Sequence, residues 1–153
     1  MRCNLISYVP QEDILINWKT ISESLEKFWK VGMNFETLPN LKRRLLADQC
    51  KLWLWSNDDK TATYLFVTET RNTAMAKLFV VTHTAGFNHT DKPWTRKELA
   101  EIISSVFEEV EDLALTLYHD AVVINARPAH IKLAKGYRKM SQPIVKQLTK
   151  RGT

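Results

Sequence analysis

The feature that most constrains this chain is a long stripe of helical period set between two short apolar runs. Leu99, Ile102, Ile103, Val106, Phe107, Val110, Leu113 and Leu117 recur mostly at steps of three and four. Glu101, Glu108, Glu109, Glu111 and Asp112 fall largely on the other faces, as in an amphipathic helix. Thr95, with Glu98 three residues on, forms a capping box that opens it. Before it lies Leu78-Phe79-Val80-Val81, and after it Ala121-Val122-Val123-Ile124. Neither run alternates with polar residues, so both read as strands buried on two faces. A strand, a helix and a returning strand make a right-handed crossover, which sets the two strands parallel.

The other segments fit around that unit. Asn4 to Val9, ending at Pro10, predicts a short strand. Ile14, Trp18, Ile21, Leu25, Phe28 and Trp29 mark the face of a first helix, with Glu12 and Asp13 in its first turn and Gly32 as its stop. Leu38 to Asp48 predicts a second, shorter helix. Cys50 to Trp55 and Thr61 to Thr70, joined by the turn cluster Ser56 to Lys60, predict a hairpin, and Met75 to Thr82 a third antiparallel strand. His83 to Trp94 reads as a loop, Pro128 to Gly136 as a short helix, and Pro143 to Thr149 as a last strand. The expected fold class is α/β (α+β): a mixed, mostly antiparallel sheet with helices on both faces, in the order β-α-α-β-β-β-α-β-α-β. Residues 1–153 form one domain on this reading, without repeat or linker.

Composition sets outer bounds. A chain of 153 residues, 44% hydrophobic and 25% charged, has the balance of a globular protein. It lacks an apolar run of the roughly 20 residues that span a bilayer, and its start lacks a signal-peptide core. A soluble protein of the cytoplasm is expected. Cys3 and Cys50 have no metal-ligand spacing and read as reduced thiols. The net charge of +5 is unevenly spread. Arg127, Lys132, Lys135, Arg138, Lys139, Lys146, Lys150 and Arg151 face no acidic residue from position 127 onward, whereas the first 126 residues carry a net of −3. Such a basic end suits an anionic partner or a solvated terminus equally well.

Two blocks carry a family likeness. Asp48-Gln49-Cys50-Lys51-Leu52-Trp53-Leu54-Trp55 is one; Asp120-Ala121-Val122-Val123-Ile124-Asn125-Ala126-Arg127-Pro128, followed by Leu133-Ala134-Lys135-Gly136-Tyr137, is the other. With the element order, they resemble the GNAT superfamily of N-acetyltransferases, and most closely its small bacteriophage-encoded relatives. The resemblance implies that acetyl-CoA would bind where two parallel strands splay apart, its pyrophosphate on backbone amides of a glycine-rich loop entering the long helix. Gly86, Lys92, Arg96 and Lys97 would then bind the cofactor, and Glu69 would be the general base. This sequence departs from that pattern. The stretch from Thr84 to Lys97 has one glycine, with Asp91, Pro93 and Trp94 where small residues and free amides are wanted. Lys132 stands where many members have a tyrosine that protonates the leaving thiolate, and Tyr137 falls in a packing position.

The expectation is therefore a non-catalytic GNAT-like phage protein, without a cofactor, that joins a virion or its assembly through protein contacts. Lys132, Lys135, Arg138, Lys139, Lys146, Lys150 and Arg151 would meet the partner, viral structural proteins or a second copy of the chain. The alternatives are an acyl-CoA-dependent N-acetyltransferase and sequence-independent nucleic-acid binding through the basic end. His83, His89 and Asp91 match no standard zinc spacing, and no metal is expected. Trp53 and Trp55 alternate with Leu52 and Leu54, so the sheet needs a helix or a partner over each face.

Overall fold

The computed structural model describes residues 6–31, 36–124, 138–139 and 144–147, with backbone alone for 27–31, 138–139 and 144–147. The chain runs β1 (Ile6–Val9), α1 (Gln11–Val31), α2 (Leu38–Leu46), β2 (Lys51–Ser56), β3 (Ala62–Asn72), β4 (Lys77–Asn88), α3 (Arg96–Thr116), β5 (Ala121–Ile124), β6 (Arg138–Lys139) and β7 (Ile144–Gln147). The strands form one sheet in the order β1-β2-β3-β4-β5-β7-β6. Every pairing is antiparallel except β4 with β5, which the crossover through α3 makes parallel. The expected mixed, mostly antiparallel sheet is present. Strand β7 lies within the segment read as the last strand, and β6 is an addition to the expected order. The short helix expected from Pro128 to Gly136 lies outside the described residues.

Helices cover both faces. On one side α3 packs Ile103, Val106, Phe107 and Val110 against Trp53, Trp55, Tyr64, Phe66, Phe79 and Val122. On the other, Ile14, Ile21 and Leu25 of α1 and Leu41 and Leu45 of α2 pack on Leu52, Leu65, Val67 and Ala85. The alternation of β2 thus feeds two cores at once, Trp53 and Trp55 under α3 and Leu52 under the helix pair. Each large side chain so enclosed contributes roughly 1.5–3 kcal/mol.

Both shorter-range helix signals operate. Thr95 Oγ1 accepts from the Glu98 amide, and Glu98 Oε1 accepts from the Thr95 amide. The C-termini of α2 and α3 close with paired backbone bonds, Gln49 N to Arg44 O with Asp48 N to Leu45 O, and His119 N to Ala114 O with Tyr118 N to Leu115 O. This is the Schellman arrangement, and it places Asp48 (φ 59°) and Tyr118 (φ 62°) in the left-handed region usually given to glycine.

The segment from His83 to Asn88, expected as loop, is strand. β4 continues to Asn88 because β3 offers it a partner at every step, from Val67↔His83 to Ala62↔Asn88. Between Val67 and Thr68 the register shifts, leaving Thr82 as a bulge. The extra residue reverses the alternation. Phe79 and Val81 face α3, whereas His83 and Ala85, two and four residues later, face α1 and α2.

Candidate functional site

Among the described residues, the ladder between β4 and β5 runs from Leu78↔Ala121 to Val81↔Ile124, and β4 goes on for seven residues past Val81. Among the described residues, this upper half of β4 is paired on its β3 side alone. Directly beneath, on the α3 side, lies a small apolar cleft among core side chains. Tyr64 and Phe66 of β3, Thr84 of β4 and Ile124 of β5 form one wall, and Val106 and Phe107 stand opposite on α3. No charged side chain lines it among the described residues.

The expected cofactor residues do not converge on that cleft. Gly86 lies within β4, opposite Tyr64, and not in a phosphate loop. A Cβ at this position would stand 2.7 Å from Tyr64 Cζ, so the glycine is needed to let the ring lie across the strand. Lys92, Arg96 and Lys97 are exposed around the start of α3. They surround a connection already closed on itself. The His89 amide bonds to Thr61 O at 2.8 Å, and the Thr90 amide to Asn88 Oδ1 at 2.9 Å. Asn88 Nδ2 donates to Lys92 O at 2.8 Å. Pro93 has no amide hydrogen. The amides of Thr95 and Glu98 are taken by the capping box, which also fixes the Glu98 carboxylate at the helix N-terminus. Its hydrogen bonds from Thr95 hold that carboxyl below its usual pKa. Trp94 packs against the α3 core.

Glu69, the expected general base, does not reach the cleft. It lies within β3, which runs on to Asn72 and is paired there with β4. It also sits on the α1/α2 face, opposite to Thr68, whose Oγ1 accepts the Trp53 indole N–H at 2.8 Å under α3. The carboxylate accepts from Arg71 at 2.8 Å and lies 3.8 Å from Arg44 Nη1. A base on this face, engaged by two guanidinium groups, has the sheet between it and the cleft.

Sequence reasoning missed the network to which Glu69 belongs. Glu36, just before the α2 N-cap Thr37, receives a bidentate pair from Arg44 (Nε to Oε2 2.6 Å, Nη2 to Oε1 2.7 Å). Glu36 Oε1 lies 3.6 Å from Nε2 of His83, whose Nδ1 is 2.7 Å from Thr82 Oγ1. Burial, aided by the Arg44 charge and opposed by Glu36, lowers the His83 pKa to about 4, so the ring is neutral at neutral pH. Burial raises the Glu36 carboxyl, but the Arg44 hydrogen bond and charge, with His83 and Asn40, bring it below its usual value. Burial pushes the neighbouring Cys50 thiol up to about 11, which leaves it unreactive as a nucleophile. The available signal was an acidic residue at the helix entry with an arginine eight positions on; the bulge that brings His83 to the same face leaves no mark in the sequence.

Among the described residues, no group of three or more His, Cys, Asp or Glu side chains could hold a metal ion. His83 and His89 are six residues apart along an extended chain, about 20 Å, too far to share one. Nor is any helix among them long and apolar enough to cross a membrane. Of the expected partner-binding residues, Arg138 and Lys139 fall on the edge strand β6 and Lys146 on β7. Lys132, Lys135, Lys150 and Arg151 lie outside the described residues.

The chain matches no known family model and no curated protein. It is similar to two solved structures of the BH1408 protein from Bacillus halodurans. One is a point mutant, at 7% identity and TM-score 0.41, covering 83% of this chain and 85% of that chain. The other is a tetramutant, also at 7% and 0.41, covering 81% and 83%.

Proposed function

We propose that the chain is a non-catalytic GNAT-like protein that acts through protein–protein contacts, as an accessory component of a bacteriophage particle or of its assembly. The observation that carries this reading is the closed connection into α3. Asn88, Glu98 and Thr95 accept from the amides of Thr90, Thr95 and Glu98, which a diphosphate would need, and Glu98 adds a negative charge where the anion would sit. The position of Glu69, on the face away from the cleft, supports the same conclusion. The viral half of the proposal rests on the sequence likeness alone, in the two blocks around β2 and β5.

One observation favours the alternative, an acyl-CoA-dependent N-acetyltransferase: the parallel pair β4 and β5 beside an apolar cleft. Calorimetric titration with acetyl-CoA separates the two. The non-catalytic reading expects no saturable heat with the nucleotide up to about 1 mM, the upper end of typical enzyme KM values. Micromolar binding displaced by coenzyme A would make the enzyme the better reading. Mass spectrometry of purified phage particles and assembly intermediates tests the viral half, and the protein's absence from both would remove it.

A further inference from the structure

We infer that the outward face of α1 is an interface between two copies of this chain, in which the two α1 helices pack antiparallel and cross at Ile16. The inference stands whether or not acetyl-CoA binds, because α1 lies across the sheet from the cleft under α3. The first ground is the placement of apolar side chains on this helix. Ile14, Ile21 and Leu25 are buried against the sheet. At about 100° per residue, Ile16 falls nearly opposite that stripe, where a solvated helix carries polar side chains. Ile16 is nevertheless 79% exposed, and its neighbour Leu15 is 57% exposed. Single exposed aliphatics are ordinary. Two adjacent ones, with Ile16 at the centre of the outward face, leave a joined apolar surface in water.

The second ground selects the occupant. Charge around Ile16 changes sign along the helix: Glu12 and Asp13 stand before it, and Lys19 after it, all three exposed. In two antiparallel helices that cross at Ile16, a residue three places after the crossing lies beside the one three places before it on the other copy. Lys19 therefore meets Asp13 of the partner subunit, and Thr20 meets Glu12 of the partner subunit. The two-fold axis repeats both contacts. Glu23, farther along, passes beyond the start of the opposing helix and meets no carboxylate there. A parallel pair would instead set Glu12 on Glu12 and Lys19 on Lys19, which like-charge repulsion disfavours. Helix polarity accounts for acidic residues in the first turn, but not for the exposed aliphatic pair beside them. The outward face from Glu12 to Glu23 is about 17 Å long and about 10 Å wide, well below a standard interface of roughly 800 Å² per partner. The dimer accordingly belongs to the weak, reversible class, with a Kd on the order of tens of micromolar.

Sedimentation equilibrium of the full chain, from about 5 µM to about 1 mM, tests this. The mass should rise with concentration from that of the monomer toward twice that value. Ile16→Glu changes a side chain outside the core and should weaken association about tenfold or more. Asp13→Lys and Lys19→Asp should each associate less than the unaltered chain, because each sets like charges opposite one another. An equimolar mixture of these two variants should dimerise, since every facing pair at the two positions is then opposite in charge. Should either charge variant fail to fold, Ile16→Glu decides alone. A chain that stays monomeric throughout leaves this face to a different protein and overturns the inference. So does an Ile16→Glu variant that associates as tightly as the unaltered chain, or a mixture that gains nothing over its two components.

Discussion

A methyl group added to Gly86 meets Tyr64 at once, with Cε1 at 2.9 Å and the hydroxyl at 3.0 Å from the ideal Cβ. Because Tyr64 is buried and flanked by Trp55, the ring has little room to yield. Gly86→Ala should therefore cost about 1–3 kcal/mol in urea unfolding, as overpacking does. In a Tyr64→Leu background the same change should cost much less; an equal cost in both backgrounds would mean that the glycine serves something other than this ring. Tyr118 is the opposite case, a bulky residue with positive φ and 85% exposure at the end of α3. Tyr118→Gly should raise stability by about 0.5–1 kcal/mol, since the left-handed conformation costs glycine least. A loss of stability would show that the side chain has a packing role.

Among the elements, α3 depends most visibly on a local signal. Thr95→Ala removes one half of the capping box and should destabilise the protein by about 1 kcal/mol, measured by thermal or urea unfolding. An unchanged midpoint would mean that α3 is held by its packed face alone. The capping box, the α3 stripe and the parallel partners Leu78–Val81 and Ala121–Ile124 were legible in the sequence because each is a short-range pattern of one period. The upper half of β4 was not. His83, Gly86 and Asn88 look like loop residues, and the bulge at Thr82 breaks the alternation that would have marked a strand. What extends β4 is the partner strand β3, 11 residues long, and pairing across a hairpin is a tertiary matter that local propensity does not report. The family resemblance grouped Glu69, Gly86, Lys92, Arg96 and Lys97 together, whereas the fold distributes them over a partly buried ion network, a strand and a helix entry.

For the molecule as a whole, the network beneath α2 ties stability to pH. The folded pKa of His83 is depressed from 6.5 to about 4, so between those values the unfolded chain binds the extra proton. Stability is therefore full above pH 6.5 and falls as pH drops toward 4, by roughly 3 kcal/mol from this group. His119, also lowered by burial, acts in the same direction, and the depressed carboxyl of Glu36 extends the loss below 4.5. His83→Gln should flatten the urea midpoint between pH 6.5 and 4; an unaltered slope would assign the acid sensitivity to other groups.

The central claim is that the entry to α3 is sealed by its own side chains and does not hold a diphosphate. Amide chemical shifts of Arg96, Lys97 and Glu98, followed by NMR while coenzyme A is added, test this at the atoms concerned. The predicted result is no saturable movement of these three signals up to about 1 mM, an affinity limit near 4 kcal/mol. Saturable shifts at micromolar coenzyme A, with the Thr95–Glu98 bonds giving way to the phosphates, would contradict it.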